Sequence, residues 1–396
     1  MKIRVTPYSF FFALYILLRL LPSYFSNGLV SLMDNLFALL AVLFLLLKKY
    51  KPSPFMLLVS SYILLTVAMS FINKTDRADV HLIISQTKLI VFLAVTEWSF
   101  KTDTKRAVNT VFVVLLLYTA MDFLSIVLFP KGMYFNEIVW NQWSTSLRAQ
   151  WLLGNKNNRV YWYMCMLMAA CWKRTLGAGR YFKIILQMLT VMSLLAVILV
   201  NSMTSLVVLF VACIGLWLGE FSKKEPMFRI PTKWIYPGYL GFAVLWLSGS
   251  VWFLKPIVEG LLGRTMSFTN RTVVWARTAL YIIQKPVFGW GMFGREATDL
   301  LGNQAFVNAH NQILETLWQS GIVGLILFSI LMLLVTRSIG RISGNGRNVF
   351  FSFMFIAILV EMLAESILSV DATWLYLLLC IRFSAYVAER ENGPIK

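Results

Sequence analysis

Any acid–base chemistry in this chain centres on His310. It is one of two histidines in 396 residues, the other being His81, and imidazole is the side chain best suited to taking a proton near neutral pH. Four arginines, Arg264, Arg271, Arg277 and Arg295, precede it in one segment, and guanidinium forks pair phosphate oxygens in a bidentate way. A histidine base beside such a cluster suits group transfer from a lipid-linked diphosphate. The arginines would hold the leaving group while the imidazole deprotonates an acceptor hydroxyl. The plainer reading has the arginines meeting anionic lipid headgroups and the histidine passive.

A second segment, 130–159, interleaves Trp140, Trp143 and Trp151 with Arg148, Lys156 and Arg159. That mixture suits a sugar and phosphate site and equally suits an interfacial aromatic belt; the same two readings apply to Trp275 and Trp290. Charges within apolar runs are costly and point to function by default. They are Arg19, Asp34, Lys88, Asp122, Glu315, Glu361, Glu365 and Arg382. Glu365 can pair with Lys88 or Arg382. Glu315, one turn into the helix led by His310, can orient the imidazole or serve as a buried structural partner.

Membrane helices must position these residues. The chain is 59% hydrophobic and 14% charged, with a mean hydropathy of +0.71, which excludes an ordinary soluble enzyme. Apolar runs near 7–25, 28–47, 54–73, 82–99, 107–129, 159–172, 184–201, 203–219, 237–254, 311–335, 349–366 and 370–388 predict an all-α polytopic membrane protein of about 12 transmembrane helices. Pro7 and Pro54 stand at helix starts. The first run reads as a retained span, because it continues past any short apolar core toward Arg19 and Pro22. Neither a repeat nor a linker divides the chain, so 1–396 reads as one polytopic domain.

The net charge of +18 serves orientation before it serves a partner, and nucleic acid is not implied. With both termini cytoplasmic, 21 of the 36 basic residues fall on inside segments, 12 fall outside, and only Lys74 and Arg77 of those twelve lie in a short loop. The segments 130–159 and 255–310 then share the outer face. Within 255–310, between spans nine and ten, Asn270 is a plausible N-cap for a short amphipathic helix on which Arg271 and Trp275 share a face; Lys285-Pro286 ends it. A glycine-rich turn follows, Gly289-Trp290-Gly291-Met292-Phe293-Gly294, and Asn308-Ala309-His310-Asn311 leads into the tenth span.

Neither metal nor cofactor is implied. Cys165, Cys171, Cys213 and Cys380 lie in apolar runs, so neither a disulfide framework nor a zinc site is supported. Residues 24–28 contain no acid to hold a metal in the first outside loop. GxSxG, HExxH and Walker patterns are absent. The sequons Asn73-Lys74-Thr75 and Asn270-Arg271-Thr272 are short enough to arise by chance.

Taken together, Asn270-Arg271-(x)3-Trp275, Lys285-Pro286-(x)2-Gly289-x-Gly291 and His310-Asn311-Gln312-Ile313-Leu314-Glu315-(x)5-Gly321-(x)2-Gly324 resemble the O-antigen ligase and Wzy-type polysaccharide polymerase superfamily. A Gly-x-x-x-Asn-like block, Gly154-Asn155-Lys156-Asn157-Asn158, precedes the sixth span. The resemblance covers about 150–335 in sequence and the remainder in hydropathy only. It implies a GT-C-like glycosyltransferase acting in a bacterial cytoplasmic membrane by metal-independent, inverting transfer from an undecaprenyl-diphosphate-linked glycan to a glycan acceptor.

On that analogy His310 is the base and Arg271 a diphosphate binder, both catalytic. Arg264, Arg277, Asn311, Arg159, Arg148 and Lys88 are candidate substrate contacts. The chain departs from the pattern where the family carries an arginine early in the eighth span: here Asn201-Ser202-Met203-Thr204-Ser205 has a methionine, and Arg159, Arg148 or Lys88 would have to supply the cation. The Gly-Asn-Lys-Asn block and the Ala-His-Asn-Gln-Ile-Leu-Glu run favour a polymerase of capsular, exopolysaccharide or O-antigen repeat units over a ligase acting on lipid A core. A flippase and a chain-length regulator are the partners such a polymerase implies. A lipid-linked oligosaccharide transporter or flippase is the alternative of another class, although no inverted repeat supports it.

Overall fold

A computed structural model describes residues 7–141, 144–221, 229–249, 271–302 and 307–392. Arg264, Asn270, Trp143 and the side chain of Trp140 lie outside the described residues. Each of the twelve apolar runs contains a helix: α1 (Pro7–Arg19), α2 (Gly28–Leu47), α3 (Pro54–Ile72), α4 (Val80–Thr102), α5 (Thr104–Leu128), α6 (Arg159–Thr175), α7 (Phe182–Leu199), α8 (Met203–Phe221), α9 (Ile235–Leu247), α12 (Gln312–Gly340), α13 (Asn345–Ala364) and α14 (Asp371–Asn392). Between α9 and α12 lie α10 (Arg271–Gln284) and α11 (Glu296–Leu301). Side chains set several starts: Asn27, Ser53, Asp79 and Asp103 each accept a first-turn backbone N–H.

Among the described residues, eight helices, rather than twelve, are long and apolar enough to cross a membrane: α2, α3, α4, α5, α7, α12, α13 and α14. The remaining four differ from these in length or surroundings. α1 and α9 have 13 residues each, a rise of only about 20 Å, and α8 offers an apolar stretch over Met203–Gly219. α6 is buried continuously from Arg159 to Trp172, packed among α5, α7, α8 and α14. A helix ringed by protein needs no lipid-compatible exterior, so α6 can carry Arg159, Tyr161 and Tyr163 at the centre of the bundle.

The all-α class holds, with one short hairpin added among the described residues. Within 130–159, β1 (Tyr134–Asn141) and β2 (Ser144–Gln150) form an antiparallel hairpin in which Tyr134 pairs with Gln150 and Ile138 with Ser146. Tyr, Phe, Ile, Val and Thr suit a pleated surface better than a helix.

α8 and α13 approach closely because Gly215 and Gly219 lie one turn apart on α8. A Cβ at these positions would come 2.5 Å from the Cβ of Phe353 and 2.9 Å from that of Phe350, the close approach that small residues allow between membrane helices.

α12 is broken at Gly321, whose φ of 60° and ψ of −161° interrupt the helix. The strand of chain after α10 fills the break. Trp290 and Gly291 donate their N–H groups to the carbonyls of Trp318 and Gln319, each at 2.8 Å, while Ile322 and Val323 donate to Pro286 and Val287 at 2.8 and 3.1 Å. Groups orphaned inside the bundle are thereby satisfied by protein. Only glycine fits at Gly321, where a Cβ would sit 2.3 Å from the Val287 carbonyl oxygen.

The short α3–α4 connection clamps the same segment. Asn73 Nδ2 donates to the carbonyls of Gly289 and Trp290 at 3.2 and 3.0 Å, and the Thr75 hydroxyl donates to Met292 O at 2.6 Å. The Asp76 carboxylate accepts from the N–H groups of Gly294 and Glu296 at 2.7 and 2.9 Å. Burial would raise the Asp76 carboxyl, but these backbone donors and Arg77 hold it below its ordinary value.

Candidate functional site

Where α13 ends, the chain turns extended and presents Glu365 (φ −142°, ψ 150°). The start of α12 is fastened to this turn. Asn311 caps α12 through its Oδ1, which accepts from Ile313 and Leu314, while its Nδ2 donates to Leu363 O at 3.0 Å. Gln312 Oε1 accepts the N–H groups of Ile367 and Leu368 at 2.8 and 3.0 Å. His310, just ahead of the cap, adopts a φ of 47°, a left-handed conformation sparsely used by non-glycine residues and concentrated at functional sites. The Asn308 side chain steadies it by accepting the His310 N–H at 3.0 Å.

This framework makes Glu365 a hub. Its Oε2 lies 2.7 Å from His310 Nδ1, and its Oε1 receives Arg271 Nη2 at 2.6 Å and Asn157 Nδ2 at 2.7 Å. Arg271 Nη1 also donates to the carbonyl of Ala364, so the guanidinium grips the turn through both terminal nitrogens. Asn157 is held in turn by Ser202, whose hydroxyl donates to its Oδ1 at 2.9 Å. His310 and Arg271 each retain 15% side-chain exposure, and Glu365 10%. Burial alone would raise the Glu365 carboxyl, but His310 and Arg271 overcome it and pull the pKa down to about 2. The group is therefore a carboxylate at neutral pH. In the tautomer that carries its proton on Nδ1, His310 donates to this carboxylate and Nε2 holds the lone pair. A base oriented by a third group in this way is the arrangement general-base catalysis needs.

The structure thus brings His310, Arg271 and Asn311 together and distributes the other candidates elsewhere. Arg277 is exposed on α10, its guanidinium lying over Gly302 at the end of α11. Arg148 is exposed on β2. Arg159 has no exposed surface: it lies 3.3 Å from Asp122 and over the Trp151 ring at 4.9 Å, and Asp122 also accepts the Leu153 N–H at 3.0 Å. Through Asp122 it is tied to the Leu153 backbone, just ahead of the turn that carries Asn157. Lys88 pairs with Asp34 at 2.5 Å in a cluster completed by Arg19 and Asp371. The expected pairing of Glu365 with Lys88 or Arg382 is replaced by its bonds to His310, Arg271 and Asn157. Glu315 orients His310 only indirectly, accepting the Ala309 N–H at 2.7 Å and the Gln319 amide. Among the described residues no group of three His, Cys, Asp or Glu side chains is arranged to hold a metal ion.

Two elements of the site were hidden in sequence. Glu365 stood out only as a charge in an apolar run, because its partners are 55 and 94 residues away. Lys156 is the cation that neighbours the Met203 element, its Nζ reaching the Asn201 carbonyl at 3.4 Å. A cavity of about 470 Å³ adjoins the His310 turn, with Asn308, Gln312, Gln86, Arg77 and the rings of Phe293 and Trp374 in its wall. Amide side chains interspersed with aromatic rings offer both hydrogen bonds and flat apolar faces.

A comparison with curated proteins finds no match. Residues 188–329, from α7 into α12, match the family model described as O-antigen ligase. The matched segment includes Arg271 and His310, while Asn157 and Glu365 lie on either side of it. Over that segment, about a third of the sequence, the chain is similar to the O-antigen ligase family.

Proposed function

We propose that this protein polymerises undecaprenyl-diphosphate-linked oligosaccharide repeat units at the outer face of the cytoplasmic membrane, by metal-independent inverting glycosyl transfer. The observation that carries this reading is the bridging of His310 and Arg271 by one carboxylate, Glu365. His310 Nε2 takes the proton of an acceptor hydroxyl as that oxygen attacks the anomeric carbon. The bond from that carbon to the diphosphate oxygen breaks, and undecaprenyl diphosphate leaves with the electron pair. Attack opposite the leaving group inverts the anomeric configuration. Arg271, on Glu365, and Lys156, next to Asn157 in the chain, are the cations proposed to meet the departing phosphates. The amide- and ring-lined cavity beside Asn308 suits a sugar ring of the glycan. Polymerisation over ligation is supported by the Gly154-Asn155-Lys156-Asn157 block and the Ala309–Glu315 run, whose Asn157 and His310 both bond Glu365.

The test is conversion of an undecaprenyl-diphosphate glycan by purified protein in the presence of a chelator, wild type beside His310→Ala, with products sized on a gel. A ladder of lengthened lipid-linked glycan from the wild type alone is expected. A single transfer that requires lipid A core would replace the polymerase reading with a ligase. Movement of the donor across proteoliposome membranes without any product would replace it with a flippase.

A further inference from the structure

The cavity of about 470 Å³ beside the His310 turn lies within the range of about 300–1,000 Å³ typical of small-molecule sites. Its wall is assembled from α4, the chain after α10, the head of α12 and the turn between α13 and α14. Asn308, two residues before His310, and Gln312, two residues after it, both line it. Asn308 uses its Oδ1 on the His310 N–H at 3.0 Å, which leaves its Nδ2 to donate. Gln86, half-buried on α4, makes no hydrogen bond among the described residues. Asp371 is held by Arg19 through Oδ2 at 2.6 Å and keeps 27% side-chain exposure. Phe293, stacked on Trp318 with ring centroids 5.2 Å apart, and Trp374 supply the apolar part.

A prenyl or acyl chain in this cavity would leave Gln86, Asn308 and Asp371 dry and without partners, which is costly for buried polar groups. A free ion is no better match, because Asp371 and Glu315 share the wall with Arg77 and Arg295 and neither sign dominates. A sugar meets both needs, with hydroxyls for the amides and the carboxylate and C–H faces for the rings. Arg271 and Lys156, the cations proposed to meet the departing phosphates, are not in this wall. A donor sugar has its anomeric carbon bonded to those phosphates, whereas an acceptor has only to bring a hydroxyl to His310. We propose that the cavity holds the acceptor glycan, with Gln86 and Asp371 as positioning residues that set which sugar is accepted. This inference rests on the transfer reaction proposed above and gives acceptor and donor separate places.

The experiment gives purified full-length protein in detergent a labelled undecaprenyl-diphosphate repeat unit as donor. The acceptor is the repeat-unit oligosaccharide freed from its diphosphate, which can only accept, and label in lipid-free product is read. Gln86→Leu should raise the acceptor KM about fivefold and leave the donor KM within about twofold. Ser369→Trp, which fills the cavity from an exposed position in its wall, should abolish use of the acceptor while the donor is still retained in native mass spectrometry. Calorimetric binding of the oligosaccharide to His310→Ala, where no transfer occurs, should weaken in the same order when each substitution is added. An acceptor KM unchanged in both variants, or a rise in donor KM in its place, would overturn the acceptor site and leave the reaction standing. Absence of transfer by the wild type, with oligosaccharide binding lost in Ser369→Trp, would remove the reaction and with it the acceptor role.

Discussion

Glu365 and His310, 55 residues apart in the chain, meet at 2.7 Å between carboxylate oxygen and Nδ1. The contact orients the imidazole plane, and in the proposed reaction the Nδ1 proton faces the carboxylate while Nε2 serves as the base. Replacing Glu365 with Gln keeps the shape but puts an amide, neutral and able to present its NH₂, where the imidazole proton was accepted. Transfer should fall by about a hundredfold or more, within the range that positioned proton transfer contributes, and mainly in kcat. Unchanged kcat in Glu365→Gln would show that the carboxylate only packs the turn.

The same carboxylate carries a pH signature. Its pKa of about 2 in the folded protein lies below the ordinary 4.5, so its stabilising contribution is complete above about 4.5. It is lost as pH falls from there toward 2. The lost stability is on the order of 3 kcal/mol. Thermal midpoints of wild type and Glu365→Gln should therefore converge as the medium is acidified through this window, and a constant difference would contradict the assignment.

Arg271 uses two nitrogens on one turn, Nη2 on Glu365 and Nη1 on the Ala364 carbonyl. Lysine conserves the charge but cannot span both acceptors while facing a phosphate. Arg271→Lys should lose at least about tenfold in transfer, a cost of about 1.4 kcal/mol. Full activity in Arg271→Lys would reduce the residue to a headgroup contact. His310→Ala should abolish transfer with membrane insertion and amount unchanged.

Asn157 donates to Glu365 and accepts from Ser202. Asn157→Ala removes one neutral donor, while Asn157→Asp places a second carboxylate against Glu365 and repels it. The aspartate variant should be the less active of the two despite being nearly isosteric. Equal activities in a donor-conversion assay would mean that Asn157 does not report on the charge of the hub.

The break in α12 depends on Gly321. Gly321→Ala forces a Cβ to within 2.3 Å of Val287 O at a positive φ. It should lower stability by about 1–3 kcal/mol, the typical cost of a strained position, and loosen the chain from Pro286 to Gly291. Limited proteolysis of wild type and variant in detergent would check this: cleavage near residue 288 should appear only in the variant.

Local rules made much of this architecture legible. The apolar runs located every described membrane helix, since burial in lipid demands an apolar face wherever protein does not cover the helix. Eight of the described helices have the length and apolarity of a span, and the hairpin of 134–150 left no trace in the apolar runs because its pairing joins two strands. Asn73 and Thr75, which looked like a chance sequon, hold the 289–292 segment through their side chains.

By itself the sequence determined a basic, polytopic helical protein with His310 at the head of a helix and Arg271 on an amphipathic one, because residue type and periodicity act over a few positions. Only the tertiary structure decided what those residues meet. Glu365, instead of the nearby Glu315, holds the imidazole. Lys156 stands beside the Met203 element, and Arg159 turns inward to Asp122. Pairings across tens to hundreds of residues are set by how helix ends gather at one face of the bundle, and no local pattern encodes that geometry.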